Sequence, residues 1–168
     1  MSARTRSAGA SGGRGQVGRA GHAGHAATGP ALPPSPEVTR LLDRSDAELA
    51  AASTSTDPAE RFVHAHLAAL RAAAAVVALR GRPSARTRAR SVWDMLALVE
   101  PDLAAWSGYF ASGARVRAAV EAGLEPDVDA RRAAELVACA EDFRDEVGLL
   151  VDPRAGFARP LAVAPAAS

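Results

Sequence analysis

The sequence predicts an all-α protein, a four- to five-helix antiparallel bundle with a disordered tail at each end. Three observations carry this expectation. Apolar residues recur at three- and four-residue spacing between about residues 36 and 152, and no stretch shows the alternation or β-branched clusters of a sheet. Alanine makes up about a quarter of the 168 residues, which raises helix propensity while adding little burial per residue. The connections between periodic stretches are short, as antiparallel neighbours require. A chain of this length supports one domain around one modest core.

The elements follow in order. Residues 1–35 are Gly, Ala, Ser, Arg and Pro with few large apolar groups. Burial there cannot offset the entropy of ordering, so a disordered basic tail is expected. The helical domain spans 36–152. Its first helix runs from about Pro36 to Ala52, with Val38, Leu41, Leu42, Leu49 and Ala52 on one stripe. The second opens on Asp57 as N-cap, with Pro58 at the first helical position and Glu60 completing a capping box. Its stripe reads Val63, Leu67, Leu70, Ala74 and Val77, and Gly81 ends it.

A loop over 81–90 leads to a second capping box, Ser91 with Asp94. The short helix after it carries Val92, Trp93, Leu96 and Val99. Pro101 either kinks that helix or begins a new one, with Leu103, Trp106 and Phe110 on one face and Gly108 and Gly113 weakening it. The last helix, about Asp129 to Val151, presents Ala133, Leu136, Val137, Ala140, Phe143, Val147 and Leu150. Residues 153–168 read as a flexible C-terminal tail in which Phe157 and Leu161 are the groups able to dock.

Bulk composition narrows the function. A single cysteine, Cys139, excludes an internal disulfide framework and a cysteine-cluster zinc site. No N-terminal hydrophobic region is visible, and the apolar run Leu67–Leu79, interrupted by Arg71, is shorter than a bilayer span. A cytoplasmic protein without a membrane partner is expected. No cofactor and no metal are implied.

The net charge of +1 conceals an uneven map. All 20 basic residues are arginine, and all 19 acidic ones lie between Glu37 and Asp152. That span holds 14 arginines and so carries −5, while the six remaining arginines lie in the tails. Within the body, Arg80, Arg82, Arg86, Arg88 and Arg90 fall in eleven residues without one acid. Such a loop suits phosphate, in RNA or a nucleotide, or an acidic protein partner. A solvated loop, or one neutralising acidic helix faces, explains it more simply, since no aromatic is interleaved for base stacking.

Four histidines complete the inventory. His22 and His25 form a weak H-A-G-H metal signal in the tail, without a third ligand. His64 and His66 are about 200° apart on the second helix and cannot chelate one ion from one face. His66 falls near the apolar stripe as a core or interface histidine, and His64 lies on the polar stripe where Glu60 can pair with it. The aromatics stand at helical spacing and read as core.

The stretch DPAERFVHAHLAALRAAAAVVALRGRP, the Val92-Trp93 dipeptide, Pro101 with Leu103 and Trp106, and Ala122-Gly123 together resemble the small actinobacterial single-domain branch of the HEPN (higher eukaryotes and prokaryotes nucleotide-binding) superfamily. The resemblance covers about residues 38–150. It implies a helical bundle that dimerises, and either a metal-independent RNase or a non-catalytic module binding RNA or nucleotide. The superfamily's RNase motif is Arg, four to six residues, then His, usually with a polar residue after the Arg. Arg61 and His66 match that spacing, with His64 as a possible accessory. Phe62 stands where the polar residue is usual, and the match lies on an early helix where the superfamily's motif lies late. Residues five apart also point about 140° apart around a helix. The expected function is therefore a non-catalytic module, a homodimer contacting RNA, nucleotide or an acidic protein through the 80–90 arginines. The alternatives are an endoribonuclease using Arg61 and His66, and a purely structural dimerisation module.

Overall fold

The computed structural model describes residues 33–124 and 126–154, and the two predicted tails fall almost wholly outside them. Among these residues five α-helices occur in order: α1 (Pro36–Thr54), α2 (Pro58–Arg80), α3 (Val92–Val99), α4 (Ala104–Glu121) and α5 (Ala130–Val151). Among the described residues there is no strand. A single 3-10 turn, Pro101–Leu103, joins α3 to α4, so Pro101 starts a new element.

Local chemistry sets the helix ends. Ser35 caps α1, its hydroxyl accepting from the Val38 N–H, with Pro36 at the first helical position. Asp57 accepts from the N–H groups of Ala59 and Glu60 to cap α2. Glu60 does not close the reciprocal half of that box: its carboxylate accepts from the Ser55 hydroxyl at 3.0 Å. The Ser91–Asp94 box on α3 is complete in both directions. Gly81, at φ +90°, ends α2 in backbone that a side chain would strain.

Helix α2 packs against all four others. Helices α1 and α4 run antiparallel to it, while α5 runs parallel, Arg132 at its start lying over the Phe62 ring at the start of α2. Ser45 of α1 donates to the Ala68 carbonyl, while Glu48, three residues on, meets His64, four residues back. Likewise His66 lies against Phe110 of α4 and Phe62 against Gly113.

The face that α2 buries differs from the expected one. Val77 is buried as read, but Val63, Leu67, Leu70 and Ala74 are only half-buried, whereas Phe62, Ala65, His66, Ala69, Ala72, Ala73 and Val76 are buried. The reason is steric. Alanines let neighbouring helix axes approach closely, so the small-residue face becomes the middle of the bundle and the larger leucines fill its margins. The stripe expected on α5 is buried as read, except that Leu150 is half-buried.

The apolar run on α2 also proves longer than Leu67–Leu79. The helix has 23 residues and a stretch of mean hydropathy 1.7, long and apolar enough to cross a bilayer, yet 56% of that stretch is buried inside the bundle. Its apolarity is used in packing, as in a central core helix.

Two glycines of α4 provide a paired test of this packing. A Cβ on Gly113 would stand 3.1 Å from His66 Cδ2 and 3.4 Å from Phe62 Cζ, whereas one on Gly108 meets nothing within 4 Å. Gly108→Ala is expected to stabilise by about 0.8–1 kcal/mol through helix propensity alone. For Gly113→Ala the same gain is opposed by overpacking worth ~1–3 kcal/mol against a fixed ring, so a net loss is expected. Urea unfolding of both variants checks the opposite signs, and a stabilised Gly113→Ala would contradict the packing described.

Candidate functional site

The arginine loop joins the end of α2 to the cap of α3. Residues 81–90 are exposed except for half-buried Pro83 and Ala89. A turn at its centre is closed by the Thr87 N–H on the Ser84 carbonyl at 2.8 Å, while the Ser84 hydroxyl accepts from the Arg86 N–H. Pro83 and this turn restrict the backbone that carries the guanidinium groups.

The five arginines are not equivalent. Arg80 is committed: its Nε and Nη2 both reach Glu100 Oε2 at 2.7 Å, tying the end of α2 to the junction beyond α3. Arg90 gives its backbone N–H to Asp94 Oδ2 at 3.0 Å, and its positive charge acts on the same carboxylate. Asp94 is held below its ordinary value chiefly by the Arg90 N–H, with the Ser91 N–H and hydroxyl adding to it. It remains an anion beside the loop. Arg82, Arg86 and Arg88 are exposed and form no ion pair or hydrogen bond through their side chains among the described residues. Three uncommitted guanidinium groups within seven residues therefore face solvent.

The histidines on α2 are placed quite differently. His66 is 0% exposed, enclosed by Phe62, Trp93, Phe110 and Gly113. Its Nε2 lies 2.9 Å from the Phe110 carbonyl oxygen. A carbonyl only accepts, so Nε2 carries the proton and Nδ1 is left as a buried acceptor without a partner among the described residues. Burial lowers the ring's pKa below its ordinary 6.5, and the Phe110 hydrogen bond offsets this only in part.

Arg61 is half-buried in the first turn of α2, about 140° around the helix from His66. Its Nε is enclosed without a hydrogen-bond partner among the described residues. His64 is half-buried and pairs through Nδ1 with Glu48 of α1 at 2.8 Å, replacing the pair expected with Glu60. The three residues are thus separated in role: one belongs to the core, one ties two helices, and Arg61 sits at the helix start. His22 and His25 lie outside the described residues. Among those described, no group of three His, Cys, Asp or Glu side chains converges to hold a metal ion.

The His66 environment has a consequence for stability. The folded state disfavours the protonated ring, so the unfolded chain binds the extra proton as pH falls through 6.5. Stability is therefore full above that value and lost below it, by up to ~1.4 kcal/mol per pH unit for one proton. Melting curves between about pH 7.5 and about pH 5.5 should fall more steeply for the wild type than for His66→Gln. Parallel slopes would contradict the assignment.

The geometry defines a class: an all-helical bundle with an inward-facing histidine and a surface cluster of arginines. The family model described as SAV_6107-like HEPN matches residues 52–148, more than half of the chain, and the chain belongs to this HEPN family. No curated protein and no solved structure matches it. The match takes in α2 to α5 and begins at Ala52, so most of α1 lies outside it.

Proposed function

We propose that this HEPN chain is a non-catalytic, cytoplasmic RNA-binding module, acting as a homodimer, that holds RNA phosphates on Arg82, Arg86 and Arg88. The observation that carries the reading is the uncommitted state of those three exposed side chains, between Arg80, whose guanidinium is held by Glu100, and Arg90, whose backbone N–H and charge both act on Asp94. Guanidinium groups pair with phosphate oxygens in bidentate geometry, and an exposed cluster gives sequence-tolerant, salt-sensitive binding. The absence of interleaved aromatics suits backbone contact in place of base readout.

The burial of His66 supports binding over cleavage. A general base must come within hydrogen-bond reach of the ribose 2′-hydroxyl, and a ring with no exposed surface offers no such approach. No histidine follows His66 in the chain, so the late position of the superfamily's motif has no counterpart here.

The test incubates the full chain with single-stranded RNA in EDTA and follows both affinity and RNA integrity. Binding with intact RNA, weakened in Arg82→Ala/Arg86→Ala/Arg88→Ala, is the expected result. Cleavage abolished by His66→Ala would overturn it in favour of the endoribonuclease. Binding to free nucleotide or to an acidic protein but not to RNA would reassign the loop. Light scattering on the purified chain checks the homodimer.

A further inference from the structure

A groove of about 600 Å³ runs between the start of α1 and the end of α5, on a part of the molecule that neither the arginine loop nor His66 touches. Pro34, Leu42, Leu149 and Val151 supply its apolar lining. Asp43 and Asp152 place acids on its rim, and among the described residues the one arginine on it, Arg144, is engaged by Asp46 of α1 at 2.8 Å. Leu149 is 51% exposed, unusual for a large apolar side chain one residue from the core stripe. The groove thus offers apolar surface framed by negative charge.

We propose that the occupant of this groove is the chain's own C-terminal segment, Phe157-Ala158-Arg159-Pro160-Leu161, docked in cis. Two arguments select it. The first is connectivity. Val151 and Asp152 are themselves part of the groove wall, and Phe157 follows Asp152 by five residues, a reach of at most about 17 Å. A segment tethered at the rim needs little intrinsic affinity, because its effective concentration there is high. The second is chemical. Residues 155–168 carry one charge, Arg159, flanked by Phe157 and Leu161, which is a cation between two apolar anchors to set against acids around an apolar floor. Residues 1–32 carry four arginines but no Phe, Trp or Tyr, and match the floor less well.

Amide NMR on the full chain tests this. With Cys139→Ala removing the native thiol, a nitroxide is attached at Ala164→Cys, and the wild-type tail is compared with Phe157→Ser/Leu161→Ser. The amides of Thr39, Leu42, Asp43 and Gly148 to Val151 are expected to lose more than half of their intensity, and to regain it with the double substitution. Amides that stay sharp, or broadening that ignores the double substitution, would overturn the proposal. So would broadening that appears only between a labelled chain and a second, spin-labelled copy, which would assign the groove to a partner's tail. A label at Ser7→Cys that produces the pattern while Ala164→Cys does not would assign it to the N-terminal segment. The tail substitutions lie outside the bundle and Cys139→Ala, within α5, is common to every sample, so the remaining amide positions report that the fold is the same across the comparison.

Discussion

Replacing Phe110 with alanine is expected to lower the unfolding free energy by about 3–5 kcal/mol, the range for removing a fully enclosed aromatic ring. Phe110 is 0% exposed and lies among five other rings: Tyr109 at 5.1 Å, Trp93 and Phe143 at 5.4 Å, Trp106 at 5.8 Å and His66 at 6.4 Å between centroids. These come from α2, α3, α4 itself and α5. The cavity would open where four of the five helices meet, and Ala65, Ala69, Ala72 and Ala73 of α2 have no reach to fill it. Since a domain of this kind has only ~5–15 kcal/mol in total, the variant should be close to unfolding at physiological temperature. Tyr109→Ala, next to it but 42% exposed, should cost about 1 kcal/mol or less. Chemical denaturation of the two variants checks the contrast, and equal losses would place the core elsewhere.

The second large effect falls on binding. If Arg82, Arg86 and Arg88 each meet one phosphate of a single strand, they contribute about 2 to the slope of log affinity against log salt. At about 0.1 M salt that slope corresponds to a loss on the order of 100-fold when all three become alanine. Arg80→Ala should behave differently. Its guanidinium is engaged with Glu100, so the affinity change should be small and the effect should appear as looser docking of the α2 end. A loop acting only through bulk positive charge would lose affinity equally for Arg80 and Arg82, which separates the two pictures.

Much of the fold was legible because local chemistry wrote it. Asp57, Ser91 and Asp94 mark helix starts through hydrogen bonds that span two or three residues, Pro58 through its fixed φ, and Gly81 marks an end through its backbone conformation. The buried face of α2 was not legible in the same way. Periodicity weights large side chains, and it selected Val63, Leu67 and Leu70. The bundle instead centres on alanines, whose value is the close approach they allow and not their own burial area. Gly113 has the same character: it reads as a helix weakener, while its role is to leave room for His66 and Phe62.

The candidate site divides along the same line. The cluster of five arginines is a property of the sequence, and so is the absence of acids among them. Which of the five are free is a tertiary property, since Glu100 lies 20 residues beyond Arg80 and nothing local announces the pair. His64 likewise found Glu48, 16 residues away on α1, in preference to the i−4 glutamate that helix geometry offers. The tautomer of His66 could be assigned only once the Phe110 carbonyl was seen beside it, 44 residues along the chain.

The most direct test of the central claim measures RNA affinity of the full chain over a series of salt concentrations, in EDTA, for the wild type, Arg80→Ala and the Arg82/Arg86/Arg88 triple alanine variant. Uncut RNA is expected, with a steep slope for the wild type, nearly the same slope for Arg80→Ala, and a slope reduced by about 2 for the triple variant. A triple variant that binds as tightly and with the same salt slope as the wild type would contradict it.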